Sequence, residues 1–455
     1  MLKTIRNAWS IPDLRKKILF TLLIIIVFRI ASVIPVPFLD TNVLTAVMAP
    51  ANSLTDGSSN MIAYLNTLSG GAFSNATLFA MGITPYINSS IIIQLLCVAI
   101  PALERLTKEG EAGRRKIGTI TRYVTVALGL IQGTAYFFYL KNTVCTEEGD
   151  YYGKHITVYN EGFSMVFAGI VIVLVFTAGT ALMMWLGEQI NKYGIGNGIS
   201  MLLFAGIIAR LPVTVRTLAA YWNLGFGDGT AGAADPKFFI FVIVWVLIFL
   251  AIIWLITFMQ DSERRIPIQY AKRVVGRKMY GGQSSFLPIK VALGGVLPII
   301  FASSILSIPS TINLFLNVKE GFWKAFFDAF NTSNWLYIVL YFILILMFAY
   351  FYTTIQYNPV EMANNLKQNN GTIPGIRPGA PTAEFIKKIL SRITLIGALF
   401  LAFIALVPSI YGIVAGMGGM SMGGTSVIIL VGVALETVKQ MESQMMMRHY
   451  KGFLD

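Results

Sequence analysis

Ten stretches of this chain are apolar, almost free of charge and long enough to cross a bilayer. That restricts them to helices, because lipid cannot satisfy an exposed backbone N–H or C=O. They run from about Leu19 to Val36, Leu78 to Ile100, Ile117 to Leu140, Phe163 to Leu186, Ile199 to Val215, Phe238 to Met259, Val291 to Leu314, Trp335 to Ile355, Ile393 to Val414 and Thr425 to Val438. With 55% hydrophobic and 13% charged residues, the chain is excluded from the soluble globular class. The expected fold is an all-α integral membrane protein of ten transmembrane helices.

Positive charge orients the spans, since Lys and Arg near their ends stay on the cytoplasmic side. With both termini in the cytoplasm, and Arg122 and Arg210 counted with the inward and outward segments next to their spans, 27 of the 35 Lys and Arg lie inside and 7 outside, and Arg29 stays within the first span. Adding or removing one span would spoil this asymmetry. The first apolar run follows Lys3, Arg6, Arg15, Lys16 and Lys17, yet it carries Arg29 and ends in Pro35-Val-Pro37, so it reads as a retained span and not a cleaved signal. Cys97 and Cys145 have no metal spacing, and His155 and His449 read as solvated, so no metal or cofactor is expected.

Inside spans two and seven the chain nearly repeats itself. Gly82-Ile-Thr-Pro85-Tyr-Ile87 is followed by Ser89-Ser90-Ile91, and Gly295-Val-Leu-Pro298-Ile-Ile300 by Ser303-Ser304-Ile305. Dividing ten spans into five and five places both breaks at corresponding positions, and an odd number inverts the second half. The halves are drawn at 1–215, with spans one to five, and 216–455, with spans six to ten. Broken helices at matched places in inverted repeats mark a crossing site at the midplane. Each proline lacks an N–H, so the carbonyls of Met81 and Gly294 are expected to lose a helical partner and add polarity there. The simpler reading is kinking and close packing, which a single such span would favour.

Between Asp56 and Glu104 no side chain is charged, although one span needs only about 20 residues. The surplus, about Ile62 to Ser74, includes Tyr64, Asn66, Ser69, Gly70 and Gly71. It suits either a half-helix tucked into the cavity as a stopper or an interfacial helix. Two inward loops, at about 260–290 and 356–392, are long and polar. The first, with Arg264, Arg265, Arg277 and Lys278, alternates apolar and basic residues and reads as a projecting hairpin. Topology alone explains its sign; docking of an acidic or phosphate-rich partner is the second reading.

Coupled transporters hold ionisable groups within their spans. Here Arg29, Glu188 and Glu436 are the main candidates, and no phosphate loop, nucleophile elbow or metal-binding helix occurs. Energy would therefore come from a cytoplasmic partner. An apolar waist including Ile87 and Ile300 would stop ions by dewetting without selecting a substrate chemically. The alternative is an ion-coupled secondary transporter of a small solute.

From about Arg15 to Arg448 the chain resembles the SecY family of bacterial protein-conducting channels. The likeness is carried by Ser69-Gly-Gly-Ala, Ala80-Met-Gly-Ile-Thr-Pro-Tyr-Ile, Ile91-Ile-Ile-Gln94-Leu-Leu, Glu109-Gly-Glu-Ala-Gly-Arg-Arg-Lys-Ile117, Trp185-Leu-Gly-Glu-Gln and Gly194-Ile-Gly-Asn-Gly-Ile-Ser200. Tyr270-Ala-Lys-Arg, Ile373-Pro-Gly-Ile-Arg-Pro-Gly379 and Gly423-Gly-Thr-Ser continue it. The resemblance implies a clamshell of two inverted five-helix halves around a pore, with a short plug helix and a sideways gate. The pore ring would be Ile83, Ile87, Ile199, Leu203, Ile300 and Ile429, with Leu203 where the family commonly has isoleucine. The plug would include Ile62, Tyr64, Asn66, Ser69, Gly70, Gly71 and Ser74, and the lateral gate Gln94 with Ser303 or Ser304. Arg264, Arg265, Arg277, Lys278 and Arg377 would meet the SecA ATPase or the ribosome. SecE and SecG would be companion subunits, secretory preproteins and their signal sequences the clients, and the bacterial cytoplasmic membrane the location. The implied role is translocation of unfolded polypeptides and release of hydrophobic segments into membrane lipid, without enzymatic activity. The outward loops at about 40–62 and 141–162 are longer than usual, and no role is carried over to them.

Overall fold

The computed structural model describes residues 2–48, 66, 69–143, 153–159, 162–226, 237–270, 273–275, 278–280, 284–292, 294–316, 321–330, 334–415 and 424–451. After a short N-terminal helix α1 (Leu2–Ser10), ten helices match the ten apolar stretches. They are α2 (Pro12–Ala31), α4 (Thr84–Ala99), α6 (Glu111–Asn142), α7 (Gly162–Tyr193), α8 (Gly198–Phe226), α9 (Lys237–Asp261), α10 (Leu297–Leu316), α12 (Trp335–Gln356), α14 (Ala380–Ala415) and α15 (Gly424–Lys451). Shorter helices are α3 (Thr41–Met48), α5 (Pro101–Lys108), α11 (Phe322–Ala329) and α13 (Pro359–Gln368).

Among the described residues six helices are by themselves long and apolar enough to cross a membrane, and α4 with α5 makes a seventh as a pair bent by 105°. Pro101 causes the bend by driving Ile100 into extended backbone, φ −107° and ψ 115°. The remaining three are limited by composition or length. Basic residues open α2, the described apolar part of α10 is Leu297–Pro309, and the second half of α15 is polar.

The two Gly-x-x-Pro breaks have one geometry, and it differs from the expected one. Gly82 and Gly295 both take φ +56°, the left-handed region open chiefly to glycine. The helices start only after them, so Pro85 and Pro298 sit in the first turn, where a missing N–H costs nothing. Three backbone bonds recur in register: Gly82 N to Phe79 O with Gly295 N to Ala292 O, Tyr86 N to Ile83 O with Ile299 N to Val296 O, and Ile87 N to Ile83 O with Ile300 N to Val296 O. The expectation that proline strips Met81 and Gly294 of helical partners is thereby corrected. Gly294 O accepts from Leu297 N at 3.3 Å, and glycine, not proline, makes the break.

Small residues let the spans approach. An ideal Cβ on Gly129 would lie 3.3 Å from Thr180 Cγ2, and one on Gly133 3.4 Å from Phe176 Cβ, so α6 and α7 pack through glycine as membrane helices do. A Cβ on Gly179 would fall 1.9 Å from the Leu78 carbonyl oxygen, which fixes the chain just before α4 against α7.

At one end of the bundle the two long loops become a single structure. Strand β1 (Glu263–Tyr270) pairs antiparallel with β4 (Ser284–Lys290) and also with β5 (Gly371–Thr372), while β2 (Arg273–Val275) and β3 (Lys278–Tyr280) form the tip of the projecting hairpin. Ile266 and Ile289 pack beneath with Ile373, Ile386 and Leu390, so the hairpin is seated on the last loop and on α14. Helices α1 and α15 meet here too. Thr4 Oγ1 donates to Glu442 Oε1 at 3.0 Å, and Lys439 meets Asp261, at the foot of β1, at 2.6 Å. Helix α8 continues past the boundary drawn at 215/216, to Phe226.

Candidate functional site

The six residues assigned to the ring come from four helices and lie in one apolar cluster. Ile83, Ile87, Leu203 and Ile429 are buried in it, and Ile199 and Ile300 pack against it. Local periodicity accounts for four of them: Ile83, Ile87 and Ile91 recur every fourth residue around α4, and Ile199, Leu203 and Ile207 do so along α8, so each trio shares a face. Helices α4 and α8 belong to the first half of the chain, α10 and α15 to the second. Ala72, from the segment read as a stopper, is fully buried in the same cluster.

That segment is described at Asn66 and from Ser69 onward; Ile62 and Tyr64 lie outside the described residues. The described part is knotted and buried, and it is not an interfacial helix. Asn66 O accepts from Gly71 N at 2.8 Å and from Ser69 Oγ at 3.2 Å, while Asn66 Oδ1 accepts from Ser74 N at 3.2 Å. Asn66 and Ser69 are buried, and Ser69 Oγ also accepts from Phe73 N at 3.0 Å. Tyr136 on α6 donates its hydroxyl to Phe73 O at 2.6 Å with the rings 4.5 Å apart, and Val36 N donates to Ala76 O at 3.2 Å. Asn66 and residues 69–77 are therefore an anchored stem.

Two arginines flank the stem. Arg29 Nη1 donates to Gly70 O at 3.3 Å, and the buried Arg210 runs beside Gly71. The sequence reading missed Arg210 as an intramembrane charge because it counted the residue with the outward loop, together with Arg216. Its place before Pro212, well inside a stretch that remains apolar, was the available signal. Glu188 is met by Arg122 at 2.7 Å, and Glu436 is exposed.

At the seam between the halves, α10 touches α4 and α6. Ser303 and Ser304 are buried, and Ser303 Oγ donates to Ile300 O at 3.0 Å. Gln94 Nε2 donates to Ser90 Oγ at 3.2 Å on its own helix. In the basic loops Arg264, Arg265 and Arg377 are exposed, Arg265 contacting Glu263 at 2.7 Å. Arg277 and the side chain of Lys278 lie outside the described residues. The register of β1 with β5 makes the basic hairpin and the Arg377 loop one surface, which spacing along the chain did not reveal.

An apolar core shared by two halves, an anchored segment buried against it, and helix starts broken at matched glycines suit a multi-pass membrane channel. The SecY family model matches residues 77–438. The SecY protein translocase subunit of Streptomyces coelicolor is 43% identical over 461 residues, covering both chains completely, and that of Mycobacterium tuberculosis is 41% identical over 465 residues with the same coverage. A solved protein-conducting channel matches with a TM-score of 0.60 at 16% identity, covering 94% of this chain and 92% of its own. A Sec61 channel in the canine ribosome-channel complex matches with a TM-score of 0.57 at 15% identity, over the same shares. This chain belongs to the SecY family.

Proposed function

We propose that this chain is the channel subunit of a protein translocase, passing unfolded secretory polypeptides across the membrane and releasing hydrophobic segments into lipid. The observation that carries the reading is that Ile83, Ile87, Ile199, Leu203, Ile300 and Ile429, from both halves, belong to or pack against one continuous apolar core in which Ala72 is buried. A collar without hydrogen-bonding groups cannot choose a client by chemistry, and when empty it blocks ions and water by dewetting. The seam along α4, α6, α10 and α12, bearing Gln94, Ser303 and Ser304, is the sideways exit. Leu, Ile, Phe or Val at a span centre favours lipid by about 0.3–0.6 kcal/mol, and a charged residue there costs about 2.5–3.5. An open seam sorts segments by that difference.

The chain is a conduit and not a catalyst; SecA or the ribosome supplies the energy. The surface that receives them is the joined sheet, through Arg264, Arg265, Arg277, Lys278 and Arg377. The solved relatives captured with ribosomes support that partner, and SecE and SecG complete the unit by family likeness. The location is the bacterial cytoplasmic membrane with both termini cytoplasmic, supported by helices α1 and α15 meeting beside the basic loops and by the skew of Lys and Arg. A coupled small-solute transporter needs a group that binds and releases a charge at membrane depth. Among the described residues the buried charge is Arg210, which keeps its proton. The test is reconstitution into vesicles: a preprotein is taken up only with SecA and ATP present, and uptake of a small solute down an ion gradient without them would overturn the reading.

A further inference from the structure

Arg377 stands in the loop that leads from β5 into α14, and the sequence of that loop sets its backbone. Ile376 N donates to Ile373 O at 3.1 Å, closing a four-residue turn with Pro374 second and Gly375, at φ +81°, third, the pattern of a type II turn. Ile373 and Ile376 pack into the apolar cluster beneath the sheet, so the next residue, Arg377, is carried out to solvent. Pro378 then disfavours helical backbone at Arg377, and Gly379, at φ +107°, turns the chain into α14.

Packing does not fix the tip of this loop. An ideal Cβ on Gly375 or on Gly379 would meet nothing within 4 Å, and Arg377 and Pro378 are exposed. The tip is closed instead by a side chain of α14. Thr382 is only 4% exposed, and its Oγ1 donates to Arg377 O at 2.9 Å. That bond spans Pro378 and Gly379, the two residues about which the tip would otherwise swing relative to the helix. We propose that Thr382 is a positioning residue for partner docking, its hydroxyl holding the Arg377 backbone in the conformation that the partner meets. The inference rests on the reading of Arg377 as a docking contact given above.

A threonine hydroxyl in a helix ordinarily bonds a carbonyl three or four residues back, as Thr394 on the same helix does with Leu390 O at 2.8 Å. Thr382 reaches five residues back, out of the helix and into the loop. Its side chain is β-branched and buried, so the hydroxyl is held in one place and the loop is tied to α14 rather than to a mobile surface group. Without the bond, the partner binds only the fraction of molecules whose tip still holds the competent conformation. Apparent affinity then falls by that fraction, while the docked complex works at its full rate. One neutral hydrogen bond shifts the held-to-released ratio by about 2- to 13-fold, which bounds the loss of affinity to expect.

The test uses the complete translocase in vesicles, titrating SecA at saturating ATP and reading preprotein uptake. Thr382→Val, which removes the donor and keeps the branched shape, should raise the SecA concentration for half-maximal uptake by about 2- to 13-fold and leave the maximal rate unchanged. Thr382→Ser keeps the donor and should recover most of that shift. An unshifted Thr382→Val overturns the proposal, and so does a fall in maximal rate at unchanged half-saturation, which marks a merely structural role. If Thr382→Val fails to accumulate in the membrane, Thr382→Ala is read by the same two criteria. Equilibrium binding of SecA to the same vesicles separates the two levels. Normal binding by Arg377→Ala removes the docking reading and the inference with it, whereas weak binding by Arg377→Ala beside normal binding by Thr382→Val removes the inference alone. Added to Arg377→Ala, Thr382→Val should weaken binding no further, and an additive loss overturns the proposal.

Discussion

Gly295→Ala isolates the energy of the break in α10. The glycine takes φ +56°, and nothing lies within 4 Å of the place a Cβ would occupy, so the new methyl touches no neighbour. Only backbone strain remains, about 1–2 kcal/mol for an L-residue in the left-handed region. Alanine's reduced freedom in the unfolded chain offsets about 0.4–1 kcal/mol of that. The expected net loss is thus about 1 kcal/mol, roughly a fivefold change in the folded-to-unfolded ratio. Gly82→Ala has the same φ, and its Cβ would stand 3.6 Å from Ser69 Cα and Cβ, an ordinary contact, so its loss should match within a few tenths of a kcal/mol. Asparagine tolerates this region, and Gly295→Asn should lose less than the alanine variant. Reversible unfolding in mixed detergent micelles measures all three. A neutral Gly295→Ala, or a loss confined to one of the two sites, would refute the claim that both halves start their pore helix with the same turn.

Ile300→Asp should make the resting channel conduct ions, because a charge wets the constriction; unchanged conductance in a planar bilayer would remove Ile300 from the collar. Arg377→Glu should abolish SecA-driven export while the channel still folds and inserts, and normal vesicle uptake would make the last loop merely topological. Tyr136→Phe removes one of two donors to the buried Phe73 carbonyl, Ala76 N remaining at 3.1 Å, and should cost about 0.5–1.5 kcal/mol. The same micelle unfolding reads that loss, and no loss would mean the stem is anchored elsewhere. Gly371→Val places a side chain where even a Cβ lies 3.1 Å from Tyr270 Cε1 and 3.2 Å from Ile268 Cγ2, so it should part β5 from β1. Motor-driven uptake should fall with it, and retained uptake would show that the two loops need not act as one surface.

The ten spans were legible because run length and absence of charge are properties of single segments, and the bilayer requires both. The breaks were legible as breaks, but their cause was not. In Gly-x-x-Pro either residue can stop a helix, and only the shared φ of Gly82 and Gly295 assigns the stop to glycine. The collar residues on α4 and α8 follow from helical spacing, whereas their meeting with Ile300 and Ile429 depends on tertiary packing, and the choice of all six came from family resemblance. Pairing of β5 with β1 was not legible, since two residues carry no period and their partner lies about a hundred positions away. The burial of Arg210 was not legible, because a cation in the last third of an apolar span reads as a topological charge.

The central claim is that one apolar waist, built by both halves, surrounds a passing polypeptide. It is tested most directly by stalling a secretory chain in the translocase and placing a photo-crosslinker in turn at Ile87, Leu203, Ile300 and Ile429. The account predicts that all four positions capture the same short stretch of the stalled chain. Capture of lipid in place of polypeptide at Ile87 and Ile300 would contradict it.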